Sequence, residues 1–493
     1  MSTEEFRMLI GGARQAVDDS RSLKVTGPLT GDVIGAISDA SAAQVHDAIS
    51  AAQHAFDTVW RRTAGLERAR LMHRLADRIE DQAEQLAELE TRDTGKLLRE
   101  TRVQVRFAAR NYRFFAGMAD KILGHTIPLD SYDTFDYTVR EPVGVAALIT
   151  AWNSPMQLLA NKLAPALAGG NCCVVKPSEL APLTTLRLGE LVTEAGFPDG
   201  AVNIITGGPE AGTALTSDPR LGRISFTGSV PTGQAIAGAA AKTLVPVTLE
   251  LGGKSANIVF DDADLDRAVV GAVAGIFAAG GQTCIAGSRL LVHDAVYESV
   301  VEQVSARAAA IVLGDPRSDS TQMGPIANRP QLDRIMAMIE AGRDAGARLV
   351  CGGEPPHDES LSAGLFIRPT VFADVDPGSA LAQEEIFGPV LSIIRFSTEA
   401  EAVEIANGTE FALASGIWTR DLSRAHRAAR ELVAGTVWVN TYRANAAQAP
   451  FGGAKKSGYG RERGVEAIEE YLRTKNVMVD LSGSTRDPFA MQA

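Results

Sequence analysis

The spacing of apolar residues changes character twice along this chain. Residues 1–40 are turn-rich, with strand-like pieces such as Val33-Ile34-Gly35. Apolar positions then recur every three or four residues, as at Leu71, Leu75 and Ile79, and predict three long helices near 41–60, 65–92 and 95–120. Arg68, Arg70, Arg74 and Arg78 read as the solvated face of the second. Over 124–142 the period shortens to two: Phe135, Tyr137 and Val139 alternate with polar residues, which predicts a two-stranded ribbon. A ribbon is marginal alone and needs a partner. Asn476-Val477-Met478-Val479 has the same character, so the two segments are expected to meet, across a subunit interface.

From Val143 onward, short continuous apolar runs alternate with helical stretches. Strands are predicted at Val143 to Thr150, Cys172 to Lys176, Val202 to Ile205 and Arg223 to Phe226, with helices at 154–168, 180–196 and 231–242. Such alternation implies a parallel sheet covered on both faces, an α/β fold whose ligands bind beyond the carboxyl ends of the strands. A second alternating region follows Gly252-Gly253. Its strands are Asn257 to Phe260, Arg289 to Val292, Arg348 to Cys351, Val390 to Phe396 and Thr436 to Asn440, with helices at 264–279, 296–312, 328–345 and 421–434. No tandem repeat or low-complexity segment interrupts the pattern.

Composition adds limits. A chain of 493 residues is long enough for two or more domains, and 45% hydrophobic with 22% charged residues is ordinary for a globular protein. The net charge of −12, spread along the chain, argues against nucleic-acid or anionic-membrane partners. No apolar run reaches the roughly 18–20 residues of a membrane span. Met1-Ser2-Thr3-Glu4-Glu5 lacks the basic region and apolar core of a secretory signal, and the four cysteines fit no zinc spacing. The expectation is a cytoplasmic protein with reduced thiols and no bound metal.

Cys284 is the cysteine with unusual surroundings. Gly280-Gly281-Gln282-Thr283-Cys284 forms a Gly-rich turn between the buried run Ala268 to Ala279 and the strand at Arg289. Small residues there let another molecule approach the sulfur, and a rigid turn aims it. Glu250, at a strand end beside Gly252-Gly253, is a candidate general base, and Asn153, ending another strand, is a candidate oxyanion donor. Ser225-Phe226-Thr227-Gly228-Ser229 leads from strand to helix, where free N–H groups seat a phosphate; Ser229 is placed to cap that helix. Lys176 and Glu179 sit past a strand end within reach of ribose hydroxyls. Gly458-Tyr459-Gly460 with Gly464 has the wrong spacing for a dinucleotide fingerprint and follows no predicted strand.

Together these segments resemble the NAD(P)-dependent aldehyde dehydrogenases, over about residues 20 to 480. The matching motifs are Ala151-Trp152-Asn153-Ser154-Pro155, Lys176-Pro177-Ser178-Glu179, Phe226-Thr227-Gly228-Ser229 with Gly233, Glu250-Leu251-Gly252-Gly253-Lys254-Ser255, Gly281-Gln282-Thr283-Cys284, Glu385-Ile386-Phe387-Gly388-Pro389 and Pro450-Phe451-Gly452-Gly453. The resemblance implies two doubly wound parallel-sheet domains plus a ribbon: a dinucleotide-binding domain over 1–123 and 143–252, a catalytic domain over 253–453, and an oligomerisation ribbon and tail over 124–142 and 470–493. It implies Cys284 as nucleophile, Asn153 as oxyanion donor and Glu250 as base. The cofactor set it implies is Ile149, Thr150, Trp152, Lys176, Ser178, Glu179, Gly208, Gly212, Phe226, Gly228, Ser229, Leu251, Gly252, Glu385 and Phe387.

The expected reaction is oxidation of an aldehyde to a carboxylic acid through a thioester on Cys284. NAD is favoured because Glu179 repels a 2′-phosphate, with NADP the alternative through Lys176. Ser154, Gln157, Leu158 and Asn161 share one helical face. With Thr283, Ile285, Asn445 and Phe451, and Arg443 nearby, they are expected to line the substrate tunnel. Ala151 and Ser154 replace the proline and bulky apolar residue usual in the family, and the polar face points to a polar or semialdehyde-like substrate rather than a betaine-type cation. Two rival readings are a coenzyme A-acylating relative, against which Glu250 argues, and a non-catalytic protein that keeps the fold. A homodimer or homotetramer is expected.

Overall fold

The computed structural model describes residues 5–17, 21–484 and 489. Expectations for residues 1–4, 18–20, 485–488 and 490–493, which fall in the spans 1–123 and 470–493, lie outside the described residues.

An eight-stranded sheet takes the first alternating region. Its order is Ala13–Arg14, Leu9–Ile10, Val202–Ile204, Cys172–Lys176, Val145–Ile149, Leu221–Thr227, Val247–Glu250, Gly458–Tyr459. The five central strands are parallel, and both edges are closed by antiparallel pieces. Val145–Ile149 and Cys172–Lys176 are buried at every position, as strands covered on both faces must be. The helix between them, Pro155–Ala168, starts with Pro155 in its first turn and is capped by Gly169. Register sets Lys176 beside Ile149, Ile149 beside Phe226, Phe226 beside Leu249 and Thr227 beside Glu250. Four elements named for chemistry thus end along one edge of one sheet.

The second sheet has seven strands, in the order Arg348–Cys351, Thr370–Ala373, Val390–Phe396, Arg289–His293, Ala256–Val259, Ala414–Trp418, Thr436–Val439. Only Arg348–Cys351 runs antiparallel. Apolar clusters pack separately on its two faces. Thr370–Ala373, Ala414–Trp418 and the helix Glu399–Asn407 were not anticipated. The chain then returns to the first unit. Gly458–Tyr459, which the sequence does not mark as a strand, pairs with Val247–Glu250, while Ala467, Ile468, Tyr471 and Leu472 join the first core.

Three expectations change in detail. The helix expected over 65–92 is two, Gly65–Asp81 and Ala83–Thr94, because Gln82 leaves helical geometry at φ −108° and ψ 19°. Arg68 is not a solvated residue. It donates to the carbonyls of Thr63, Ala119 and Ala168, tying three segments together, and Arg74 donates to Ala195 O. Thr134–Pro142 pairs antiparallel with Leu472–Asp480 over nine registered positions inside one chain, so the ribbon finds its strand partner without a subunit interface. No helix among the described residues is long and apolar enough to cross a membrane.

Candidate active site

The turn that carries Cys284 is held from four sides. After the helix Leu265–Phe277, residues Ala279, Gly280 and Gly281 take φ of 55°, 61° and 71°, so the chain reverses within three residues. A Cβ on Gly281 would lie 2.1 Å from Gly388 O, so this position requires glycine. Gln282 is buried, accepts from Ala327 N at 2.9 Å and donates to Ala279 O at 3.3 Å. Glu100 accepts from Ala279 N at 3.0 Å. On the far side Gly253 passes so close that a Cβ there would lie 2.5 Å from Cys284 O.

Asn153 follows the strand Val145–Ile149 and is 7% exposed. Its Nδ2 donates to Gln282 O at 2.9 Å, which fixes the amide beside the cysteine turn and leaves its second N–H for another acceptor. Glu250 ends Val247–Glu250, and among the described residues neither carboxylate oxygen has a hydrogen-bond partner. Cys284, Asn153 and Glu250 line one cavity of about 660 Å³, together with Trp152, Leu158, Gly228, Ser229, Leu251, Gly252, Glu385 and Phe387. Trp152 meets Phe387 edge-on at 5.3 Å.

Burial and neighbouring carboxylates govern the titratable groups of the site. Burial pushes the Cys284 thiol up to about 12, with Glu385 and Glu250 adding to the shift and Arg463 and its own backbone N–H opposing it. Burial holds the Glu250 carboxyl well above the usual range, reinforced by Glu462 and opposed by Lys162, Arg461 and Arg463. Glu385 is raised to about 7, again chiefly by burial, although Gly253 N donates to it at 2.9 Å. Behind Glu250 lies a fully buried ion pair, Lys162 with Glu462, and Lys162 also donates to Ser225 Oγ at 3.1 Å.

The remaining cofactor candidates divide into two groups. Gly228, Ser229, Leu251, Gly252, Glu385 and Phe387 line the cavity, with Trp152. Ile149, Thr150 and Phe226 lie just behind it along the sheet edge. Lys176, Ser178, Glu179, Gly208 and Gly212 sit further along that edge. Lys176 reaches Glu179 at 3.8 Å, a Cβ on Gly212 would lie 3.8 Å from Lys176 Cε, and Gly208 N donates to Asp39 at 3.1 Å. Ser229 occupies the N-cap of Val230–Ala241 but does not cap with its side chain; its hydroxyl pairs with that of Thr232 at 3.0 Å.

The tunnel set is brought together less completely. Leu158 lines the cavity, and Gln157, Thr283, Ile285 and Phe451 are half-buried. Ser154 is buried and takes a hydrogen bond from Lys96 Nζ. Asn161 is buried and accepts from Asn111 Nδ2 at 2.6 Å, while Asn445 is exposed. The polar helical face is therefore largely satisfied internally, because the helix Leu98–Ala116 packs along Pro155–Ala168 and covers it. Sequence reasoning missed Lys162, Glu462 and Arg463. A lone lysine in an otherwise apolar helix was the available signal, since such a charge is buried only when paired.

Residues 16–477 match the profile of the aldehyde dehydrogenase family, and the chain belongs to that family. It is an NAD(P)-dependent aldehyde dehydrogenase, an oxidoreductase. Among its relatives, a betaine aldehyde dehydrogenase of Cereibacter sphaeroides (strain ATCC 17029 / ATH 2.4.9) is 46% identical over 455 residues, 92% of this chain and 93% of that one. The betaine aldehyde dehydrogenase of Staphylococcus aureus in complex with NAD+ superposes with a TM-score of 0.97 at 38% identity, covering 98% of this chain and 97% of that one. PnpE from Pseudomonas sp. WBC-3 superposes at 0.96 with 42% identity, covering 99% and 100%.

Proposed function

We propose that this enzyme oxidises a polar or functionalised aldehyde to its carboxylic acid with NAD, through a thiohemiacetal and a thioester on Cys284. The observation that carries the reading is the single cavity shared by Cys284, Asn153 and Glu250. The betaine aldehyde named for the Cereibacter and Staphylococcus relatives belongs to this functionalised class.

The residues along the sheet edge fit the cofactor. The first turn of Val230–Ala241 has no side-chain cap, so its N–H groups are free for a pyrophosphate. A side chain on Gly228 would lie 2.3 Å from Phe226 Cζ, so the glycine keeps the approach open. Thr150 and Thr227 hydroxyls are buried without hydrogen-bond partners among the described residues. Glu179, beside Lys176, is placed to accept from ribose hydroxyls, which favours NAD over NADP. Bound NAD supplies the hydride acceptor.

The chain's own groups do the rest. Cys284 attacks the aldehyde carbon as thiolate, and Glu250 on the same cavity wall is placed to take the thiol proton. The free N–H of the Asn153 amide and the Cys284 backbone N–H donate to the oxyanion. Glu250 passes that first proton to solvent; once the thioester has formed it accepts a second from the water that attacks the acyl carbon, and returns it to the departing Cys284 thiolate. Burial keeps Glu250 weakly acidic, which matches it to a proton accepted and returned within each turnover.

Cys284→Ala is expected to abolish aldehyde-dependent NADH formation while leaving NAD binding by calorimetry intact. Turnover at the parental rate in that variant would refute the assignment, and NADH formation that required coenzyme A would favour the acylating reading. Assembly as a homodimer or homotetramer is supported by apolar side chains exposed around the ribbon, at Phe135, Val139, Met478 and Val479. A concentration-independent monomer mass would overturn it. The four unpaired cysteines agree with a reducing, cytoplasmic setting.

A further inference from the structure

Residues 151–153 join the strand Val145–Ile149 to the helix Pro155–Ala168, and among the described residues they make no backbone–backbone hydrogen bond. The stretch that carries Asn153 therefore takes its position from the groups around it. Ser154 occupies the N-cap of the helix but does not cap it with its side chain. Glu90 Oε2 takes over that work from an earlier helix, accepting from Met156 N at 3.2 Å and from Thr184 Oγ1 at 3.3 Å. The Ser154 hydroxyl is left for Lys96 Nζ, which donates to it and to Gln104 Oε1 at 3.2 Å. Lys96 is 5% exposed, and the carboxylates of Glu90 and Glu100 offset its charge.

The backbone of Lys96 is fixed to the part of the chain that carries the nucleophile. Gly95 turns at φ 75°, and a Cβ there would lie 2.9 Å from Pro325 Cγ. A Cβ on Gly324 would lie 2.2 Å from Gly95 O, and Leu98 N donates to Pro316 O at 2.9 Å. Just past Pro325, Ala327 N donates at 2.9 Å to the Gln282 side chain, in the cysteine turn itself. Glu100, in the first turn of Leu98–Ala116, holds Ala279 N at the start of that turn. The loop between the helices Ala83–Thr94 and Leu98–Ala116 is thus keyed to the supports of Cys284 and reaches the Asn153 segment through one ammonium. A buried ammonium beside a helix N-terminus is unfavourable in itself, since both desolvation and the dipole oppose its charge. Methionine or leucine would fill much the same space. What lysine adds is a long donor that spans the gap to Ser154.

We infer that Lys96 is a positioning residue: through the Ser154 hydroxyl it holds the Asn153 amide in register with Cys284, as an oxyanion donor requires. The inference rests on the proposed role of Asn153 in aldehyde oxidation and adds the group that aligns it. Lys96 acts through Ser154 and Asn153 rather than on the substrate. Misplacement of a reacting or donating group by about 1 Å can lower a rate about a hundredfold, so a single hydrogen bond at this junction reaches the chemistry.

Two reagents applied to the full-length enzyme separate this role from support of the fold. Acetylation of Cys284 by p-nitrophenyl acetate passes through a tetrahedral oxyanion, whereas alkylation by iodoacetamide forms none; both are read against Cys284→Ala. Lys96→Met and Ser154→Ala should each slow acetylation by roughly tenfold to a hundredfold, the scale of one hydrogen bond to a charged group, while alkylation stays within about twofold of the parent. Ser154→Thr, which keeps the hydroxyl, should restore most of the rate. In an Asn153→Ala background Lys96→Met should slow acetylation no further, because the donor it aligns is gone. Equal slowing of acetylation and alkylation would overturn the proposal, as would a Lys96→Met loss that persists in full without Asn153. Should Lys96→Met fail to fold, Ser154→Ala, which removes a single oxygen, decides the matter by the same two rates. For the aldehyde that the parent oxidises best, kcat/KM should fall alongside acetylation with the KM for NAD unchanged. If the parent oxidised no aldehyde at all, the broader reading would fail, while the acetylation-to-alkylation ratio would still decide the role of Lys96.

Discussion

Replacing Lys162 by methionine tests both the fold and the chemistry behind Glu250. Lys162 and Glu462 are 0% and 3% exposed, so the substitution leaves a buried carboxylate without its ion-pair partner. Removing one partner of a buried pair costs about 3–5 kcal/mol, and the lost donation to Ser225 Oγ adds about 1 kcal/mol. Chemical denaturation followed by circular dichroism should show the loss. The double variant Lys162→Met with Glu462→Leu should recover most of it, because no charge is then stranded. The two partners also act on Glu250 with opposite sign. Glu462 raises its pKa and Lys162 lowers it, so Glu462→Gln should shift the basic-side rise of thioester hydrolysis to lower pH and Lys162→Met to higher pH. Shifts of about one pH unit correspond to about 1.4 kcal/mol of differential interaction. A single variant within about 1 kcal/mol of the parent would refute this account, as would two pH shifts in the same direction.

Three further outcomes follow from the same geometry. Gly281→Ala sets a Cβ 2.1 Å from Gly388 O at φ 71°, so the cysteine turn must move, and kcat/KM should fall at least about a hundredfold with NAD affinity retained. Asn153→Ala removes the proposed oxyanion donor and the anchor to Gln282 O, and should lower kcat by about 10²–10³ while cofactor binding by calorimetry is unchanged. Because the thiol of Cys284 is pushed up to about 12, its thiolate fraction grows in proportion to hydroxide over the accessible range. Alkylation by iodoacetamide should therefore quicken about tenfold per pH unit, and a plateau below about pH 8 would contradict the shift.

Most of the parallel architecture was legible because buried strands of Val, Ile and Leu announce themselves as continuous apolar runs, as in Val145–Ile149 and Cys172–Lys176. Ala414–Trp418 escaped notice because Ala, Ser and Gly fill three of its five positions, although it lies inside the second sheet. The triad Cys284, Asn153 and Glu250 could be named from strand ends and glycines, since those features are local. What could not be read was how the polar side chains of Pro155–Ala168 would be used. Ser154 and Asn161 look available on a helical wheel, yet Lys96 and Asn111, on segments about 50 residues earlier, occupy them. Arg463 was hidden for the same reason, since an arginine in a glycine-rich loop reads as solvated until Phe107 and Phe451 are seen around it.

The late return of the chain to the first sheet has a consequence for biosynthesis. Ser457 bonds the carbonyl of Gly252 across a separation of 205 residues, and Glu462 reaches Lys162 across 300. During synthesis at about 5–20 residues per second, the strand Val247–Glu250 waits roughly 10–40 seconds for the segment that covers its free edge. Throughout that interval the nascent chain carries an open strand edge and a lysine without its ion-pair partner Glu462. Both invite pairing with the wrong neighbour. The half of the molecule made first is thus the half completed last, and its final stitch lies in the Gly458–Leu472 segment rather than in either of the two sheets' own hydrophobic runs.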